Sequence, residues 1–207
     1  MKKTVPRGIL VVLEGVDGAG KSSVLKRLAA HASGLSLEVV QGREPTGGPF
    51  GKRLRESALT GRFSMAEELD LFVQDRRQHV EEVIAPALNR GALVLLDRYY
   101  FSNAAYQGAR GADPEAILAV NEAFAPQPDL VLLLDCPPAQ TLARILARQG
   151  GSDAFEKLEE LEAVRRIFLS IKRSFIRVID ASFGEQIVGD QCLGFMMEAL
   201  ASGGVPL

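Results

Sequence analysis

Gly15-Val16-Asp17-Gly18-Ala19-Gly20-Lys21-Ser22 satisfies the spacing G-x-x-x-x-G-K-[ST] at every position, the pattern of a loop that cradles phosphate. Each residue type has a physical reason. Glycines let the backbone curl so that successive N–H groups face inward at an anion. A helix starting at the end of the loop adds its positive end to the same field. Lys21 offers a point charge for β- and γ-phosphates, and Ser22 a hydroxyl for Mg²⁺; Ser23 follows in the first turn. An apolar run, Ile9–Leu13, precedes the loop. Lys21–His31 follows it with Val24, Leu25 and Leu28 on one helical face, so the loop has the strand before it and the helix after it that its chemistry requires.

Outward from the loop, apolar runs keep alternating with helical patterns. Leu37–Val40, Leu93–Leu96, Leu130–Leu134 and Phe175–Ile179 read as four more strands. Helices are predicted over Pro49–Leu59, Met65–Asn89, Asp113–Phe124, Thr141–Arg148, Phe155–Ile171 and Glu185–Leu200. Ser64 with Glu67 predicts a capping box at the start of the long helix, and Pro86 a kink near its end. Continuous apolar strands separated by helices imply a parallel sheet covered on both faces. The expected fold class is therefore α/β, a three-layer P-loop NTPase fold with a five-stranded parallel sheet flanked by helices. Residues 1–207 read as one domain.

Composition narrows the function. Hydrophobic residues make up 47% of the 207 and charged residues 24%, which excludes a disordered or fibrous chain. With 24 Lys and Arg against 26 Asp and Glu, a general nucleic-acid coat is not expected. Uncharged apolar runs fall short of the ~18 residues of a membrane helix, and the start does not suit a signal peptide. Cys136 and Cys192 form no metal or CxxC pattern, which suits a reducing, cytoplasmic setting. His31 and His79 stand in no triad, and His79 is expected to be structural.

Two strands end in aspartate, Asp97 and Asp135. Ligands of an open parallel sheet sit outside the carboxyl ends of its strands, so either carboxylate is a candidate for Mg²⁺. Arg98 follows Asp97 and brings a cation suited to a transferring phosphoryl group, whereas a stiff Cys136-Pro137-Pro138 follows Asp135. The metal role is therefore assigned to Asp97 with Ser22, and Asp135 is read as a cap or turn residue.

A phosphate loop alone does not choose a reaction. An ordered set of further motifs does: Glu14 with the loop itself, Arg43-Glu44-Pro45, Phe72 with Asp75-Arg76, Asp97-Arg98-Tyr99, Ser102-Asn103-Ala104-Ala105-Tyr106-Gln107-Gly108, and Asp153 to Glu156. In these the chain resembles the thymidylate kinase family of P-loop nucleoside monophosphate kinases, from Ile9 to about Leu200. The resemblance implies transfer of the γ-phosphate of ATP to dTMP, giving dTDP and ADP, with Mg²⁺ as cofactor. It implies that Asp17 approaches the sugar 3′-hydroxyl and helps position the acceptor phosphate. Arg98 would hold that phosphate, and Phe72 would stack on thymine. Arg76 and Asn103 would read the polar edge of the base. Ser102, Tyr106 and Gln107 would line the sugar and base pocket, with Tyr106 crowding out a 2′-hydroxyl. Arg43, Glu44 and Pro45 would close one side. Read without the resemblance, Phe72 is core packing and Arg76 a surface ion pair with Asp75 or a helix neighbour.

The resemblance also implies a lid at about residues 144–156. Arg148 is its first candidate for the transferring group and Arg144 its second, because loop positions 16–19 carry no basic residue. Solvated arginines on a helix face are the alternative. Two departures from the family pattern stand out: Thr46 precedes Gly47-Gly48 instead of following two glycines, and Ala154 stands where the lid often carries arginine. The expected partners are the small-molecule nucleotides dTMP and ATP, with no nucleic acid and no membrane, and a second copy in a homodimer packed through helices near Phe72. The competing readings are another deoxynucleotide or deoxynucleoside kinase, and a non-kinase P-loop switch. A nucleoside acceptor would need a carboxylate base near its 5′-hydroxyl. A guanine-binding switch would need an Asn-Lys-x-Asp segment, which the chain lacks.

Overall fold

The structure, a computed structural model, describes residues 7–35, 37–61, 63–149 and 154–204. Five strands form one parallel sheet in the order β2-β3-β1-β4-β5: β1 Ile9–Glu14, β2 Val39–Arg43, β3 Leu93–Asp97, β4 Leu130–Asp135 and β5 Ile176–Asp180. Every residue of β1 and β3 is buried, which is why these strands read as unbroken apolar runs. The edge strands β2 and β5 are half exposed.

Helices α1 (Lys21–Ala32), α2 (Pro49–Thr60), α3 (Met65–His79) and α4 (Ala85–Asn89) precede β3 or cross between its neighbours. They are followed by α5 (Tyr100–Ala109), α6 (Pro114–Glu122), α7 (Pro138–Gln149), α8 (Ala154–Ser170) and α9 (Glu185–Ser202). α1 and α9 pack on each other and on the sheet, and α5 lies against α6 and α8. The core is continuous from Ile9 and Leu10 through Leu93–Leu96 to Phe168 and Met196.

Several boundaries differ from the sequence reading. Met65–Asn89 is a run of three pieces, with a π-helical turn at Val80–Ile84 between α3 and α4. Pro86 has no N–H to give, and the ladder widens ahead of it, the Ala85 N–H reaching the Val80 carbonyl. The capping box forms as expected, with Ser64 and Glu67 bonded reciprocally. Asp113 accepts from the Glu115 N–H at the start of α6. β2 begins at Val39 and runs on to Arg43, beyond the apolar run, because its ladder pairs Arg43 with Asp97. Helix α5 is absent from the periodicity reading altogether. Asp135 is neither a cap nor a turn residue: it closes β4 and takes the Arg165 guanidinium of α8 through both oxygens, at 2.6 and 2.9 Å.

Candidate active site

The register of the central strands assembles the site. Leu13 and Arg43 both lie opposite Asp97, so the ends of β1, β2 and β3 reach one level. The phosphate loop leaves β1 there and enters α1. Gly15 (φ +133°) and Gly18 (φ +81°) need their missing side chains twice over. Both have left-handed φ, and a Cβ would lie 2.5 Å from the Leu134 carbonyl oxygen or 2.7 Å from that of Thr141. The buried Lys21 ammonium donates to the carbonyls of Gly15 and Val16, each at 2.9 Å. Burial, then the neighbouring Arg98 charge, lowers its pKa.

Arg98 has φ +75°, a conformation that side chains other than glycine's rarely adopt and one that costs on the order of 1–3 kcal/mol. Its backbone N–H is held by the Leu13 carbonyl at 3.0 Å. One guanidinium nitrogen, Nη1, donates to Ser102 Oγ at 2.9 Å and to the Gly15 carbonyl at 3.4 Å. The other, Nη2, donates to Asp17 Oδ1 at 2.7 Å and to the Tyr106 hydroxyl at 3.2 Å. Burial works against its charge, but the tyrosine and carboxylates around it raise its pKa. Asp17 is 59% exposed at the side chain. Desolvation pushes its pKa up, and Arg98 and Lys21 outweigh that and hold it low. The Tyr106 hydroxyl donates to Asp17 Oδ2 and accepts from the Asp17 N–H, both at 3.1 Å; burial pushes its pKa to about 12.

Two cavities meet at this arginine. The first, about 400 Å³, is lined by the loop residues Asp17, Gly18, Gly20, Lys21, Ser22 and Ser23, with Arg43, Asp97, Arg98, Ile145 and Lys157. The second, about 290 Å³, is lined by Phe72, Arg76, Tyr99, Ser102, Asn103, Tyr106 and Gln107 from the helical side. Arg43, Glu44, Pro45, Leu54, Arg55 and Glu68 close it from the other side. Asp17, Arg43 and Arg98 belong to both walls. Gly15, Val16 and Ala19 belong to the loop without lining either cavity.

The second cavity is firmly framed. Arg76 is 1% exposed and donates from Nε at 2.8 Å and Nη2 at 2.7 Å to Glu44 Oε2, and from Nη1 to Asn121. The ion pair therefore runs to the Arg43-Glu44-Pro45 loop and not to Asp75. Asp75 instead accepts from the Thr46 N–H at 2.8 Å and from its hydroxyl at 2.6 Å. Thr46 Oγ1 in turn accepts from the Gly48 N–H at 3.0 Å, so the altered order Thr46-Gly47-Gly48 is stitched to α3 through the threonine. His79 places Nδ1 3.0 Å from Glu44 Oε1. Asn103 donates to Gln107 Oε1 at 2.8 Å, and its own buried Oδ1 has no protein partner.

Ser22 Oγ donates to Asp97 Oδ2 at 3.1 Å, and the other carboxylate oxygen, Oδ1, is buried without a partner. A hydroxyl and one carboxylate facing a phosphate cavity are a hard-oxygen set of the kind Mg²⁺ takes when nucleotide oxygens complete its shell. Among the described residues no group of three or more His, Cys, Asp or Glu side chains could hold a metal ion.

Of the lid residues, Arg144 reaches the carbonyls of Gly18 at 3.3 Å and Ala181 at 3.4 Å, buttressing the loop from outside the cavity. Arg148 is in the last turn of α7 and its side chain lies outside the described residues, as do Gly150, Gly151 and Asp153. Sequence reading missed Lys157 of α8, which lines the loop cavity; its only signal is a basic residue just after the lid motif. It also missed Leu54, Arg55 and Glu68 in the second cavity, where no motif marks them, and gave no role to Tyr99, which the motif Asp97-Arg98-Tyr99 contains.

A phosphate loop between the first strand and helix of a parallel sheet, with a second chamber sharing its arginine, defines a phosphotransferase of the nucleoside monophosphate kinase class. The family model described as thymidylate kinase matches residues 13–192. A thymidylate kinase of Xylella fastidiosa (strain M12) is 50% identical over 95% of this chain and 90% of its own. One from Xanthomonas campestris pv. campestris (strain B100) is 48% identical over 95% and 86%. One from Akkermansia muciniphila is 52% identical over 88% of each chain. The chain belongs to the thymidylate kinase family.

Proposed function

We propose that the enzyme transfers the γ-phosphate of ATP to dTMP, the ATP polyphosphate lying along the loop cavity and dTMP in the second. The observation that carries this reading is the shared wall: Asp17, Arg43 and Arg98 border both chambers. An acceptor phosphate beside Arg98 would face the γ-phosphate held by Lys21. An oxygen of dTMP attacks the γ-phosphorus as the bond to the β-phosphate oxygen breaks, releasing ADP. The acceptor is already an anion, so no general base is needed, and rate comes from positioning and charge neutralisation.

Phe72, partly exposed, lines the second chamber and would offer its ring for stacking. The partnerless Asn103 Oδ1 matches the imide N–H of thymine, and a mismatched base would leave it unpaired. In this reading Tyr106, held against Asp17, would crowd out a ribose 2′-hydroxyl. Ser22 and Asp97 would hold Mg²⁺ together with nucleotide oxygens, and the bound ion would supply neutralisation of phosphate charge.

A cytoplasmic setting belongs to the same reading, supported by free, buried thiols at Cys136 and Cys192 and by the absence, among the described residues, of a helix long and apolar enough to cross a membrane. So does a homodimer packed through the helices near Phe72, carried by the family resemblance and tested by sedimentation velocity.

The deciding experiment is ADP release with ATP and, in turn, dTMP, dUMP, dCMP, AMP and thymidine. Stimulation by dTMP above the other four is expected. Stimulation by thymidine alone, or slow hydrolysis indifferent to every acceptor, would overturn the assignment. Arg148 and Lys157 complete the charge around the transferring group in this reading. Lys157→Ala is expected to lower kcat about tenfold, roughly 1.4 kcal/mol of barrier, with an unchanged melting temperature. A kcat equal to that of the unaltered enzyme removes Lys157 from the reaction.

A further inference from the structure

Glu14, the last residue of β1, is fully buried and lies beside both cavities without lining either. Oε1 accepts from the Tyr99 N–H at 2.8 Å and the Ser102 N–H at 3.2 Å, and Oε2 accepts from the Ser102 hydroxyl. The Ser102 hydroxyl in turn accepts from Arg98 Nη1 at 2.9 Å. The chain of bonds therefore runs from the strand that launches the phosphate loop, through Ser102, to the guanidinium shared by both chambers.

The alternatives for a carboxylate in this place are costly. Burial raises the Glu14 pKa, with the Ser102 bond and the Arg98 charge opposing the rise. A glutamate desolvated only to satisfy two N–H groups would be a poor exchange, since a neutral acceptor does the same at lower cost. Its charge matters where it acts on a cation. Arg98 sits at φ +75°, and a strained residue stays put only when its surroundings over-determine it. Asp17, the other carboxylate on Arg98, is largely exposed, so the buried side of the guanidinium is fixed through Glu14 and Ser102. The same carboxylate accepts from the first turn of α5, which carries Ser102, Asn103, Tyr106 and Gln107 of the second chamber.

We propose that Glu14 is a positioning residue that, through Ser102, sets Arg98 against the phosphate loop, so that donor and acceptor phosphates meet in register. This rests on the proposed dTMP kinase reading. Its role is distinct from folding, and the test separates the two. Glu14→Gln preserves shape and removes charge. Its kcat with dTMP should fall about tenfold or more, with the KM for ATP within about twofold of the unaltered enzyme. Ser102→Ala should lower kcat by a similar factor, and it repeats the test should Glu14→Gln fold poorly. In an Arg98→Ala background both substitutions should become nearly silent, because residues that act through one group are not additive. An unchanged kcat in the single variants, or the same loss repeated without Arg98, overturns the proposal. If the unaltered chain does not phosphorylate dTMP, the function assignment falls, and crystals of Glu14→Gln decide this inference alone. A guanidinium displaced from Asp17 and Tyr106 supports it, and an unmoved one overturns it.

Discussion

Arg98→Ala is expected to lower dTMP-dependent turnover by about 10³-fold or more, equivalent to about 4 kcal/mol of transition-state stabilisation. Two effects compete in that variant. Deleting the guanidinium removes the cation shared by both chambers, which in the proposed reaction would act where charge accumulates between two nucleotides. It also strips Glu14 and Asp17 of a partner. The second effect is self-limiting for Glu14, whose buried carboxyl already has a raised pKa and can take up a proton. Asp17 keeps its access to water. Loss of chemistry should therefore exceed loss of stability, and the variant should melt within a few degrees of the unaltered enzyme. Arg98→Lys restores charge without the fork that bonds Ser102 and Asp17 together, and should recover only part of the rate. Turnover within tenfold of normal in Arg98→Ala would take Arg98 out of the mechanism.

The largest effect on stability is expected at Arg76. Its side chain and that of Glu44 are 1% and 3% exposed, so Arg76→Ala leaves a carboxylate without its main counter-charge in the interior. Breaking such a pair by removing one partner costs about 3–5 kcal/mol. For a chain of this size that corresponds to a fall in melting temperature of roughly 6–20 °C. His79 Nδ1, 3.0 Å from the other Glu44 oxygen, remains as a hydrogen-bonding neighbour of that carboxylate. The double variant Arg76→Met with Glu44→Gln should regain much of the loss, since no uncompensated charge remains. Differential scanning calorimetry of the three chains checks this. A single variant as stable as the parent would show that the pair does not hold the acceptor loop to α3.

The phosphate loop was legible because backbone geometry leaves little choice. Gly15 and Gly18 are fixed by left-handed φ and close carbonyls, and these constraints survive as spacing in the chain. The strands β1, β3 and β4 were legible because burial on both faces makes them continuous apolar runs. Helix α5 was not, and for the same physical cause: Tyr100 through Ala105 are all buried, so no polar face marks a period of 3.6. Its role surfaced only through the motif from Ser102 to Gly108. The partners of Glu14 lie 85 and 88 residues away along the chain, a distance across which no local pattern carries information. The alternative reading of Arg76, a surface ion pair with Asp75 or a helix neighbour, fails because a helix position names only a neighbour at i±1 or i±4, whereas its carboxylate, Glu44, comes from β2's outgoing loop. Lys157 was hidden by being one of three basic residues on a charged helix.

The common partition between the chambers constrains how such an enzyme can be redesigned. Asp17, Arg43 and Arg98 border both compartments, so changing any of them disturbs both guests at once and cannot trade one preference for another. In the proposed reaction, selectivity for a different base has to be sought at Phe72, Leu54, Asn103 and Gln107, which border only the second compartment. There, a swap of volume or of a single amide leaves the machinery handling the triphosphate unaltered.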